Sequence, residues 1–167
     1  LQTPKPLENI KNKNCMKQLS LILIFIYSTS IVSFGQNKKN YKIIFTDPAS
    51  VVNAIFYAAQ TRDFAIMQCL NDPYGESDGD VNGLCSISNI AKQIKEDGEN
   101  ENIKKGLDEF VKYFESGRIT GEITYSEVDG IEYAEVPFWF NHPGGESRSN
   151  EVMKLVNRYG NWYLSGF

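Results

Sequence analysis

Between Cys69 and Cys85 the chain carries Asp72, Glu76, Asp78 and Asp80 among Asn, Gly and Ser, its densest run of side chains able to do chemistry. Asp78-Gly-Asp80-Val-Asn82-Gly83 matches the first six positions of an EF-hand loop. In such a loop alternate oxygens converge on a hard cation, and the glycine permits a sharp turn. Leu84 would offer its carbonyl at the seventh position, but Asn89 stands where the twelfth requires a bidentate glutamate. The expectation is a polar turn with no metal and no cofactor; Ca2+ held by Asp78, Asp80 and Asn82 is the alternative. Outside the cytosol Cys69 and Cys85 are expected to form a disulfide, which would stabilise the fold by ~3 kcal/mol on a chain-entropy model.

His142 is the sole histidine, in Asn-His-Pro-Gly-Gly. A general base needs an orienting carboxylate or tyrosine, and sequence alone puts none beside it, so a hydrated loop residue is expected. With one histidine and paired cysteines a zinc site is not expected. Asp63 and Asp108 fall on helical segments, where capping and surface pairing are the ordinary roles. No dyad or triad stands out, and no catalytic residue is assigned.

The aromatics are the remaining resource. Most of Phe56, Tyr57, Phe138, Trp139, Phe140, Trp162 and Tyr163 must be core. Phe56, Tyr57, Phe138 and Phe140 are the expected lining of an apolar ligand site. Trp139 and Tyr163 alternate away from Phe138 and Trp162, so one aromatic set should face outward. That face could meet a protein partner or a second copy, as a homodimer through the sheet.

The elements that hold these residues are read from periodicity. Asp47-Pro48 starts a helix over 47–60, a capping carboxylate followed by proline at the first helical position. A short helix over 63–70 has Asp63 as its expected cap. Residues 101–116 carry one apolar stripe of Ile103, Leu107, Phe110, Val111 and Phe114, stopped by Gly117. The period then becomes two. Strands over 118–128 and 131–140 flank the hairpin turn Asp129-Gly130, and strands over 151–159 and 162–167 flank a turn at Gly160-Asn161. Residues 41–45 are expected to add an edge strand, and 96–102 a solvated loop. Helices first and antiparallel strands last predict an α+β domain, the helices packed on one face of the sheet.

Residues 16–35 read as a signal peptide. Lys17 precedes an apolar run from Leu21, and Ser33 and Gly35 are the small residues that cleavage requires. The run is short for a membrane span, which wants ~20 predominantly apolar residues. Residues 1–15 are expected to be an over-extended gene start, and 36–167 a single domain that is secreted or periplasmic. Of the 17 Lys and Arg, four precede Gln36; of the 21 acids, one does. The remaining 13 bases and 20 acids give a net charge of −7, which disfavours nucleic acid and anionic lipid as partners.

The closing Leu155, Gly160, Trp162, Tyr163 and Leu164, following the Asp47-Pro48 helix, resemble the nuclear transport factor 2-like superfamily, the cystatin-like cone. The likeness is to its secreted bacterial members with no assigned activity, and covers about residues 47–167. It implies a curved sheet wrapped around a long helix and open at one end, often around an apolar pocket. Members include steroid isomerases, epoxide hydrolases, dehydratases and polyketide cyclases, beside many non-enzymes, and fold alone does not choose among them. The expected function is a non-catalytic binding domain for a small apolar ligand or protein partner. A small hydrolase, isomerase or cyclase with a buried carboxylate is the alternative, and a calcium-stabilised interaction module the third.

Overall fold

The computed structural model describes residues 41–97, 100–142 and 151–167; the expected leader over 16–35 lies outside them. Helix α1, Pro48–Thr61, starts as expected: the Asp47 side chain accepts the Ala49 N–H at 3.0 Å, and Pro48 takes the first position. Its Val51, Val52, Ile55, Phe56 and Ala59 are buried. A 3-10 helix, Phe64–Cys69, follows, and Asp63 makes no side-chain cap to it, contrary to expectation. Residues 41–45 form no strand; they contribute a single backbone bond to the sheet, from Trp162 N–H to the Phe45 carbonyl at 2.7 Å.

Helix α2, Gly79–Asp97, replaces the expected polar turn. Asp78 Oδ1 accepts the Val81 N–H at 2.8 Å, and the Asp78 carbonyl accepts the Asn82 N–H at 3.0 Å. The carboxylate is thus a helix N-cap, a role that Asp fills as readily as cation binding. Val81, Cys85 and Ser88 recur at helical spacing and are all buried. Helix α3, Glu101–Phe114, is capped by Asn100 and buries Leu107, Phe110 and Phe114. Past its end, a Cβ on Gly117 would lie 2.2 Å from the Phe56 ring, so only glycine lets the chain pass that close to α1.

The strands are β1 (Arg118–Ile119), β2 (Thr124–Val128), β3 (Ile131–Trp139), β4 (Glu151–Arg158) and β5 (Asn161–Gly166). They form one open antiparallel sheet in which β1 and β2 both pair with β3, followed by β4 and β5. Pro137 explains why β1 and β2 are separate. Its carbonyl accepts the Thr120 N–H at 2.9 Å, but proline has no N–H to return. Gly121 sits against its ring, where a Cβ would lie 3.3 Å from Pro137 Cγ.

Ala134, Val136 and Phe138 of β3, Met153 and Leu155 of β4, and Trp162 and Leu164 of β5 join α1 in one core cluster. The outer edge of β5 is closed by the segment before α2. Leu164 N–H donates to the Leu70 carbonyl at 2.8 Å, Asp78 N–H to that of Ser165 at 2.8 Å, and Ser77 Oγ to that of Leu164 at 2.7 Å. Both two-residue hairpin loops have positive φ at each position: Asp129 and Gly130 at 52° and 77°, Tyr159 and Gly160 at 55° and 82°. The second loop lies one residue earlier than its sequence predicts, because Asn161 is the first residue of β5.

Candidate functional site

The expected ligand lining is packed ring on ring. Phe56 lies 6.1 Å from Phe138, Phe138 lies 5.5 Å from Phe140, and Phe140 stacks on Phe114 at 5.1 Å. These three expected lining rings are buried. Tyr57, half-buried, stacks on Tyr41 at 4.3 Å. The alternation of aromatics is as predicted: Phe138 and Trp162 are buried, while Trp139 and Tyr163 take the opposite face. Each outward ring has a cover of its own, the Arg118 guanidinium 4.6 Å from Trp139 and the Phe45 ring 5.6 Å from Tyr163.

The expected Cys69–Cys85 bridge is not formed, since Cys85 keeps a free thiol. Once 79–97 is a helix, Cys85 belongs to its buried face with Val81 and Ser88. Burial there pushes its thiol up to about 12. The stretch matched to an EF-hand loop is folded instead as the start of α2. Asp78 is spent on capping and on the Phe167 N–H at 3.2 Å, while Asn82 Nδ2 donates to the Ser77 carbonyl at 2.9 Å. Among the described residues no three His, Cys, Asp or Glu side chains converge as metal ligands. Asp108 forms a surface ion pair with Arg62 at 2.6 Å. His142 follows β3 with its ring edge-on to Phe140 at 5.7 Å.

A different constellation lies where the 72–77 turn meets the β4–β5 hairpin. The Asp72 side chain is fully buried, and accepts the Tyr74 and Glu76 N–H groups at 3.3 and 3.1 Å. It also receives Arg158 as a fork, Nε to Oδ1 at 3.2 Å and Nη2 to Oδ2 at 3.1 Å. Glu76 pairs with the same guanidinium. Hydrogen bonding to Asp72 raises the Arg158 pKa above its ordinary value, and the nearby charge of Asp72 and Glu76 adds to this. Planar two-point pairing of this kind fixes both partners in orientation.

Above the locked guanidinium stand two tyrosines. The Tyr74 ring centroid is 5.6 Å from Arg158 Cζ and 6.0 Å from the Tyr159 ring. Tyr74 is 61% exposed and Tyr159 89%. Tyr159 occupies the first loop position of its hairpin at φ 55°, a place that Asn, Asp or Gly fills in most such turns. A bulky residue there is an outlier, with a strain of about 1 kcal/mol. The other hairpin uses Asp129 and avoids that strain.

Sequence reasoning placed Asp72 in the acidic run after Cys69 but gave no role to it, nor to Tyr74, Arg158 or Tyr159. Asp72 and Arg158 are far apart along the chain and meet only when the segment before α2 closes the β5 edge. One local signal was present: Tyr-Gly between two strand patterns, where Asn-Gly or Asp-Gly is usual. The fold and this site define an α+β domain with an open five-stranded antiparallel sheet and a rigid, outward-facing Tyr-Arg platform. Neither a protein-family profile, nor a curated protein, nor a solved structure matches the chain.

Proposed function

We propose that this chain is an exported, non-catalytic binding domain of the cone-shaped nuclear transport factor 2-like kind, which engages a protein partner through Tyr74, Arg158 and Tyr159. The observation that carries the reading is Tyr159: a strained backbone holds a nearly bare ring beside a second exposed tyrosine. Tyrosine and arginine dominate the energetic centres of protein interfaces, and a ring fixed beforehand loses little entropy on binding. The carboxylates support the non-catalytic part, because Asp72, Asp78 and Asp108 are each committed to a structural bond. An apolar ligand among Phe56, Tyr57, Phe138 and Phe140 would have to part rings that now touch, which makes the protein partner the better fit.

The test uses the immobilised chain and its Tyr159→Asn variant as paired baits for exported proteins of the producing cell. Asparagine tolerates positive φ, so the variant should be as stable as the parent or more so, by up to about 1 kcal/mol in urea melts. The expected result is a protein retained by the parent and lost from the variant. Identical capture by the two baits would remove the platform from the function.

A further inference from the structure

The sheet has two edges, and the fold treats them unequally. At β5, Phe45, Leu70, Ser77 and Asp78 occupy the edge. At the other side β2 is exposed at all five residues. Thr124, Tyr125 and Val128 favour strands, and the segment has none of the lysine, proline or bulge that usually protects an exposed edge.

Hairpin parity identifies which backbone groups of β2 point away from β3. The residues flanking a two-residue loop exchange both backbone hydrogen bonds, and this alternates along the ladder. Val128 and Ile131 flank the Asp129-Gly130 loop, so Thr124, Ser126 and Val128 turn their N–H and C=O groups toward β3. Tyr125 and Glu127 turn theirs outward. The same rule at the other hairpin puts the N–H groups of Trp162 and Leu164 outward, and those two are the ones bonded to Phe45 and Leu70.

We propose that β2 pairs antiparallel with β2 of a second copy, Ser126 opposite Ser126 across a twofold axis, joining two five-stranded sheets into one. In this register Tyr125 faces Glu127 of the second copy, and both outward residues of each chain are satisfied by four N–H···O=C bonds. Registers centred on Glu127 would oppose like charges, and those centred on Tyr125 would run beyond the strand. The Tyr125 ring itself lies over its own sheet, 5.8 Å from Trp162, and leaves the outward backbone of β2 uncovered. Within one chain the cross-strand partner of Glu127 is Glu132, a like charge. Because the β5 edge is closed, association stops at two copies and builds no filament. The interface is separate from the Tyr74–Tyr159 platform, so either assignment can fail without the other.

The experiment is light-scattering mass against concentration for the full chain and three variants. Ser126→Glu and Ser126→Lys each place like charges face to face on the axis. Tyr125→Pro deletes an outward N–H and leaves the ladder to β3 whole; Tyr125→Phe, which keeps the ring beside Trp162 and the N–H, is its control and should associate like the parent. The parent should rise from one chain mass toward two, and each of the three variants should stay at one. An equimolar mixture of the Glu and Lys variants should recover the doubled mass. A parent whose mass is independent of concentration overturns the proposal. So do Glu, Lys or Pro variants that associate like the parent, a mixture that stays at one chain mass, or a mass that grows past two.

Discussion

At Arg158 a single side chain holds a buried anion, a second carboxylate and an exposed aromatic ring in place. Arg158→Ala would leave the Asp72 carboxylate buried with two backbone N–H donors and no counter-charge. Such truncations destabilise by about 3–5 kcal/mol, so the urea midpoint should fall steeply, and a midpoint within error of the parent would refute the lock. Cys85 makes a second residue-scale prediction. Its folded pKa is raised to about 12 from an ordinary 9.0. The stability it contributes is therefore complete below pH 9 and declines as pH rises from there toward 12, because the unfolded thiol ionises first. At pH 8 the native thiol should resist a disulfide reagent that labels it at once in denaturant. Labelling at equal rates in both conditions would contradict its burial.

At the scale of elements, Gly117 decides how closely the end of α3 can pass α1. Alanine there would drive a methyl into the Phe56 ring, which is buried against Phe138. Gly117→Ala should destabilise by about 1–3 kcal/mol, as overpacked cores do, while Gly106→Ala, with open space at its Cβ, should not. Thermal melts of the pair would separate the two cases. The elements also differ in how legible they are. Helices α1 and α3 carry a cap and an apolar stripe in the same stretch, and Asp129-Gly130 marks its hairpin, so sequence places all three. Helix α2 begins in Asp-Gly-Asp-Val-Asn-Gly, a composition that suits a cation loop and a helix start equally. Its stripe of Val81, Cys85 and Ser88 contains a thiol and a hydroxyl, which weakens the apolar signal. The split between β1 and β2 depends on Pro137 of the neighbouring strand, a cause that lies outside the segment it breaks. The Tyr-Arg platform is less legible still, being assembled from two turns that only tertiary structure brings together.

Across the whole described domain, Asp78 ties the helical part to the sheet. Its side chain caps α2 and accepts the Phe167 N–H, while its own N–H bonds to Ser165. Asp78→Ala should therefore lower stability by about 1 kcal/mol or somewhat more, beyond a lone cap. Helical circular dichroism and tryptophan fluorescence, from Trp139 and Trp162, should shift together in the same urea titration. Separate transitions would show that α2 and the sheet unfold independently. The closed β5 edge has a consequence in time as well as in space. Leu70, Ser77 and Asp78 leave the ribosome long before β5 does, and none of them can make its sheet bonds until β5 arrives. A nascent chain halted before residue 158 lacks both Arg158 and β5, which leaves Asp72 without its counter-charge and α2 without its bonds to the sheet, so its N-terminal half stays sensitive to protease. Adding β5 closes the longest loops of the fold in one late step, and slow folding follows from contacts so distant along the chain.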